Sequence, residues 1–252
     1  MNQDLKILES INTEYGKLSF RLVRSYRRRT VAIYVNENAD VSVFAPFFVR
    51  RDMIFDFIRE KSLWIVKKIA QVKRNRSILE ERRFDTGSMF LFLGNKYPLI
   101  IETDEKVRRV RIDFDGASWK IKLPLVDTLR KSPENIIKKK LIEWYKRQAK
   151  EMLPGRVFYY SRVVGVEPSN IAVKTQKRLW GNCDYAAKII RLNWQIILAP
   201  IEVIDYVVVH EICHLIFPNH SKNFWHKVGE ILPKYKENRK WLREHYSDMA
   251  IL

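Results

Sequence analysis

Two histidines and a glutamate form an H-E-x-x-H pattern at His210, Glu211 and His214, and His220 follows shortly after them. Residues four apart on a helix lie on one face, so His210 and His214 can present both imidazoles to a single ion. Glu211 then lies beside that face, where its carboxylate can act on a water instead of binding the ion. The pattern predicts a metal site with Glu211 as general base, the arrangement of H-E-x-x-H hydrolases.

His220 is the predicted third ligand. Pro218 ends the helix, and the turn that follows can bring His220 back towards the same ion. The offset from His214 to His220 equals that in H-E-x-x-H-x-x-G-x-x-H, although Phe217 stands where that motif has glycine. Three histidines and a water make the open tetrahedral arrangement of catalytic zinc, so Zn²⁺ is the predicted cofactor. His226 is an alternative ligand if His220 does not reach the ion.

A buried histidine pair can also be simply hydrogen-bonded, and so short a pattern also arises by chance. The flanking residues favour a metal, because residues 201–216 form an almost wholly apolar segment typical of a buried helix. Burying two histidines and an unpaired glutamate in such a helix costs free energy unless an ion compensates.

A second stretch, residues 179–200, reads LWGNCDYAAKIIRLNWQIILAP. It resembles the RWGSC-x-I-x-LNW-x-LILAP block of the YgjP-type family, which is related to the SprT and WLM zinc metallopeptidases. The stretch HEICHLIFPNHSKNFW resembles the same family's HELxHLxxxNHSxxFW signature. The resemblance covers nearly the whole chain, and it implies a zincin-like metallopeptidase acting on protein or peptide substrates.

The resemblance also implies where substrate binds. In zincins a sheet edge lies beside the metal cleft, and a substrate backbone can add to that edge as a strand. Residues 171–173 and 189–192 are the expected strands, and they bracket a turn at residues 180–183. The substrate-binding residues implied by this placement are Trp180, Gly181 and Asn182.

The second block departs from the family pattern at two positions. Leu179 stands where the family has arginine, with Arg178 one place early, and Asn182 replaces serine. Cys183 and Cys213 lie close to the motifs, and both are expected to be small buried residues and not ligands.

The rest of the chain predicts an α+β protein. Alternating apolar residues predict strands in residues 17–24, 30–35 and 40–45, followed by one long helix over residues 49–76. About seven strands are expected before residue 125, because residues 89–123 add hairpins with turns at Gly94-Asn95 and Asp115-Gly116.

A helix over residues 132–152 is expected next, with Ser132 as N-cap. Pro154 is expected to break or restart it, and Gly165 to end the second part. The predicted organisation is a β-rich N-terminal domain with a long helix, residues 1–130. A zincin-like helical metallopeptidase domain with a small sheet follows, residues 131–252.

Composition limits the partners. The formal net charge of +18 favours polyanions such as nucleic acid or nucleotides, although a solvated basic surface explains it equally well. No apolar run is long enough for a membrane span, and the charged N-terminus lacks a signal region. Two cysteines without paired spacing predict no disulfide framework and a cytoplasmic location.

Four functions fit these observations. A zinc-dependent metallopeptidase, most simply an endopeptidase, is the main prediction. A metal-dependent nucleotide phosphohydrolase keeps the ion but uses basic side chains to hold phosphates. A protease of SprT type would act on substrates associated with nucleic acid. A scaffold with a structural zinc is the weakest alternative, because structural zinc sites are usually closed and rich in cysteine.

Overall fold

The computed structural model describes residues 5–80, 83–125, 133–176, 179–246 and 248–249. By packing, the chain divides into two compact units, Met1–Arg82 and Arg83–Leu252. Each unit combines helices with small sheets, so the predicted α+β class is confirmed. None of the described helices has both the length and the apolar character that crossing a bilayer requires.

The first unit is a sheet of four strands followed by two helices. Its elements are β1 (Leu5–Thr13), β2 (Gly16–Ser25), β3 (Ala32–Val35), β4 (Val41–Pro46), α1 (Arg51–Glu60) and α2 (Ser62–Glu80). The strand order is β1-β2-β4-β3, with β2 and β4 parallel and the other pairs antiparallel. Strand β1, which the sequence did not predict, pairs with β2 along its whole length.

The prediction of one long helix over residues 49–76 is wrong at Lys61. This residue leaves the helical conformation, with φ −91° and ψ 3°, and separates α1 from α2. The Ser62 hydroxyl donates to the Arg59 carbonyl at 2.6 Å, a local side-chain bond that competes with a continuous helical ladder. The break lets both helices bury apolar residues in one core, including Ile54, Ile58 and Ile65.

The second unit begins with another sheet of four strands. These are β5 (Met89–Phe92), β6 (Asn95–Thr103), β7 (Arg111–Phe114) and β8 (Trp119–Leu123), in the order β5-β6-β8-β7. The β5–β6 turn uses Leu93 and Gly94, both with positive φ, as in a tight hairpin turn. The described chain therefore has eight strands before residue 125 and not seven.

Helix α3 (Pro133–Val164) is continuous, so the predicted break at Pro154 is wrong. Proline removes one backbone hydrogen bond, but Leu153, Val157 and other residues of this helix are fully buried, and that packing holds it together. Gly165, with φ +79°, ends α3 as predicted. The predicted N-cap, Ser132, lies outside the described residues.

Strands β5–β8 share a core with the elements that carry the H-E-x-x-H motif. Trp119 of β8 meets Trp144 of α3 edge to face at 5.7 Å. The backbone N–H groups of Leu93 and Gly94 donate to the carbonyls of Ile197 and Leu198, at 2.9 and 3.0 Å. For this reason the compact units divide at residue 82, whereas the sequence predicted a boundary near 130. The division into domains stays a prediction.

The elements around the motif are a small sheet and three helices. They are β9 (Asn170–Lys174), β10 (Gly181–Asp184), β11 (Ile189–Asn193), a 3-10 helix (Trp194–Leu198), α4 (Ile201–Cys213), α5 (Lys222–Ile231) and α6 (Tyr235–Glu244). The sheet order is β10-β11-β9, which leaves β10 at an edge. The predicted turn at residues 180–183 is wrong, because Gly181–Asp184 pairs with β11 and the chain reverses after it, where Lys188 has φ +53°.

Candidate metal centre

Helix α4 carries the motif and is buried along nearly all of its length. Its one aspartate, Asp205, is only 7% exposed and binds Arg156 of α3 through two hydrogen bonds. The Tyr160 hydroxyl donates to the same carboxylate at 3.0 Å. These bonds hold α4 against α3, and the sequence signal for them was Asp205 itself, an acid in the middle of a mostly apolar helix.

Three imidazoles converge at the end of α4. The ligand nitrogens of His210, His214 and His220 all lie within 4.8 Å of one another. The Nε2 atoms of His210 and His220 are 3.0 Å apart. Tetrahedral zinc with Zn–N bonds of about 2.0–2.1 Å separates its ligands by about 3.3 Å, so the spacing fits one ion. A hydrogen-bonded pair alone would not explain the third ring.

The turn after α4 orients His214 without a glycine. Nδ1 of His214 lies 3.0 Å from the Phe217 carbonyl, which accepts its proton and directs Nε2 into the cluster. Phe217 has no positive φ, so the turn needs none of glycine's conformational freedom. Phe217 therefore contributes a backbone oxygen that the sequence gave no means of identifying.

Two aromatic side chains of helix α5 pack against the three imidazoles. Ser221 caps this helix by accepting from the Phe224 N–H at 3.3 Å. The fully buried Phe224 ring lies 4.6–4.9 Å from all three imidazoles. Trp225 stacks on His220 with ring centroids 5.5 Å apart. These contacts hold the exposed His220 in place.

Two of the imidazoles are held in the form that binds metals. Burial first, and then the neighbouring His214 and His220, lower the pKa of His210 to about 3. Burial likewise lowers the pKa of His220. Both rings are therefore neutral at pH 7, with lone pairs free for an ion. No described residue forms a hydrogen bond with the buried Nδ1 of His210, and its Nε2 faces the cluster.

Glu211 lies between the histidines and strand β10. The residue is 5% exposed, and burial raises the pKa of its carboxyl to about 8. A Cβ atom added to Gly181 would lie 2.7 Å from Cγ of Glu211 and 2.8 Å from its Oε1. Only glycine leaves room for the carboxylate here, so the edge strand is in direct contact with Glu211.

The other two residues predicted to bind substrate lie beside Gly181. Asn182 is half-buried on β10 and pairs with Arg191 of β11. The half-buried Trp180 precedes the strand and meets Tyr246 at 5.5 Å. The structure thus brings the predicted edge and the predicted metal site together.

The remaining histidines and cysteines lie outside the cluster. His226 is 77% exposed, and its Nδ1 is 3.3 Å from Glu230, so it is not an alternative ligand in this fold. Burial raises the pKa of Cys183 to about 11 and that of Cys213 to about 12. Both remain thiols at pH 7, consistent with structural roles. The predicted position of Arg178 lies outside the described residues.

One comparison with known proteins identifies a family. A family model described as "YgjP-like, metallopeptidase domain" matches residues 29–245. Among solved structures, the crystal structure of the metallopeptidase zymogen of Pyrococcus abyssi abylysin is similar over a limited region. The identity is 19% and the TM-score 0.34, covering 37% of this chain and 94% of that chain. No curated protein matches the sequence.

Proposed function

Because the chain belongs to the YgjP-like metallopeptidase family, we propose that it is a zinc-dependent endopeptidase. In this proposal His210, His214 and His220 hold the ion and Glu211 is the general base. The supporting observation is the convergence of three imidazole nitrogens within 4.8 Å, beside a buried carboxylate. Neutral nitrogen donors in a three-histidine set suit zinc better than magnesium or calcium, which prefer oxygen.

Glu211 performs the proton transfers in this mechanism. When bound, the ion supplies Lewis acidity, which polarises a peptide carbonyl and acidifies a water. The carboxylate of Glu211 takes a proton from the attacking water and then delivers it to the leaving nitrogen. Burial raises the pKa of this carboxyl to about 8 in the metal-free protein, and a cation beside it would lower that pKa towards the ionised form that a base requires.

Strand β10 positions the substrate in this proposal. One of its edges pairs with β11, and an extended peptide can add along the other. Gly181 places the scissile bond against Glu211, while Trp180 and Asn182 contact the substrate on either side. A strand site open along its length accepts chain on both sides of the scissile bond, which favours an endopeptidase.

An assay with two substrate classes tests the function. Purified protein is incubated with casein and with nucleoside triphosphates, each with and without a chelator, and zinc is then added back. We expect zinc-dependent cleavage of casein and no release of phosphate or pyrophosphate. Triphosphate hydrolysis without casein cleavage would instead support a phosphohydrolase. Mass spectrometry of the untreated protein should detect about one zinc ion per chain.

Replacing Gly181 by alanine should reduce kcat/KM about 10- to 100-fold with the fold and zinc content unchanged. The new methyl group would meet the Glu211 side chain at 2.7–2.8 Å, so the carboxylate or the strand must shift. Displacements of this size from the productive geometry cost up to about 100-fold in rate. Peptide kinetics, zinc content and thermal unfolding measure the effect.

The matched control is Gly155→Ala in α3, where an added Cβ meets nothing within 4 Å. This variant should keep wild-type activity and gain up to about 1 kcal/mol in stability. Equal activity of the two variants would show that the close approach of β10 to Glu211 is not required.

A further inference from the structure

Arg239 of α6 places a positive charge beside the candidate metal centre. Its guanidinium carbon lies 5.0 Å from the centroid of the Trp225 ring. Trp225 in turn stacks on His220 and lies 5.8 Å from the His210 ring. The Trp225 ring therefore lies next to both the Arg239 guanidinium and two of the predicted ligands, His210 and His220.

Arg239 is exposed to solvent, as is His220. The contact with Trp225, which stacks on His220, therefore places the guanidinium beside the metal site on the surface of the protein, where a substrate can reach it.

Within the part of the chain that the structure describes, Arg239 has no carboxylate within ion-pair distance. Because Arg239 is exposed, water solvates its guanidinium in the free protein, and a substrate anion can replace that water. Among the described residues, the N–H groups of Arg239 make no hydrogen bond, so they are available to a ligand beside Trp225. The planar guanidinium of an arginine can bind a carboxylate through two parallel hydrogen bonds.

We propose that Arg239 recognises a carboxylate of the substrate next to the scissile bond, which makes acidic peptides the preferred substrates. In an endopeptidase, this carboxylate belongs to an acidic side chain of the substrate. The inference rests on the proposed peptidase function for its consequence in catalysis. Carboxylate binding itself does not require the ion, so the two can be tested separately.

Binding to the metal-free protein tests the recognition directly. Chelator-treated protein is titrated by calorimetry with blocked alanine peptides that carry one glutamate, one glutamine, or a free C-terminal carboxylate. The blocked glutamate peptide should bind about tenfold more tightly than the blocked glutamine peptide, as expected for a charge-assisted pair. A gain for the free-acid peptide alone would overturn the assignment to an acidic side chain.

The variant Arg239→Gln should abolish that difference, and Arg239→Lys should retain part of it. Arg243→Gln is the matched control, because Arg243 is an exposed arginine one turn later on α6. It should bind like wild type. The proposal is overturned if the wild-type protein binds acidic and neutral peptides with equal affinity, or binds neither. It is also overturned if Arg239→Gln and Arg243→Gln have the same affinity for the acidic peptide.

Kinetics of the zinc-loaded enzyme separate this proposal from the function itself. Arg239→Gln should raise KM for the acidic peptide about tenfold, with little change in kcat and no effect on the neutral peptide. If the wild-type enzyme cleaves no peptide at all, the proposed function fails. The calorimetric contrast in the metal-free protein then still decides whether Arg239 binds carboxylates.

Discussion

Replacing Glu211 by glutamine should leave zinc bound and reduce peptide hydrolysis by about 10²- to 10⁴-fold, the usual contribution of a general base. The amide has nearly the same size, so it fits the space beside Gly181, but it cannot take a proton from water. Because the imidazoles are untouched, the metal content should equal that of wild type. Steady-state kinetics on a peptide and zinc analysis of the same preparation measure both quantities.

The control for Glu211→Gln is Glu202→Gln on the same helix. Glu202 is exposed in the first turn of α4, so the same chemical change there should leave kcat/KM within about twofold of wild type. A Glu211→Gln enzyme as fast as wild type would remove this residue from the mechanism, even if the metal site were correct.

Replacing His220 by alanine should weaken zinc binding by more than about 100-fold and abolish activity at ordinary zinc concentrations. Loss of an outer-shell partner alone costs about 10- to 100-fold in metal affinity, and a direct ligand should cost more. His220 is exposed, so the fold should survive the change. Competition against a chromophoric chelator gives the affinity, and circular dichroism verifies the fold.

His226→Ala provides the matched comparison, because His226 lies in the neighbouring helix and was the alternative ligand by sequence. Its contact with Glu230 is exposed, so zinc affinity and activity should be unchanged. If His220→Ala keeps full zinc affinity, or if both variants lose it equally, the three-histidine site is incorrect.

Local rules identified much of the site from the sequence. The spacing of His210 and His214 placed two imidazoles on one helix face, because helical periodicity depends only on neighbouring residues. Likewise Gly165 ends α3, as its capping preference predicted. The family resemblance in the two motif blocks is confirmed by the match over residues 29–245.

Local rules failed where packing opposed them. Pro154 should interrupt a helix, yet the buried face of α3 keeps it continuous. Lys61 carries no breaking signal, yet the chain leaves the helix there so that both halves reach one core. Residues 180–183 look like a turn, but pairing with β11 extends them into an edge strand. In each case the deciding free energy came from distant contacts.

The sequence by itself determined which residues could bind a metal and act as a base, since that follows from side-chain chemistry and helical spacing. Only the tertiary structure decided that Nε2 of His220 lies 3.0 Å from Nε2 of His210, and that Gly181 lies against Glu211. It also revealed that Arg239 lies beside Trp225. These relations join separate elements, and the packing of a whole core fixes such distances, which no local pattern encodes.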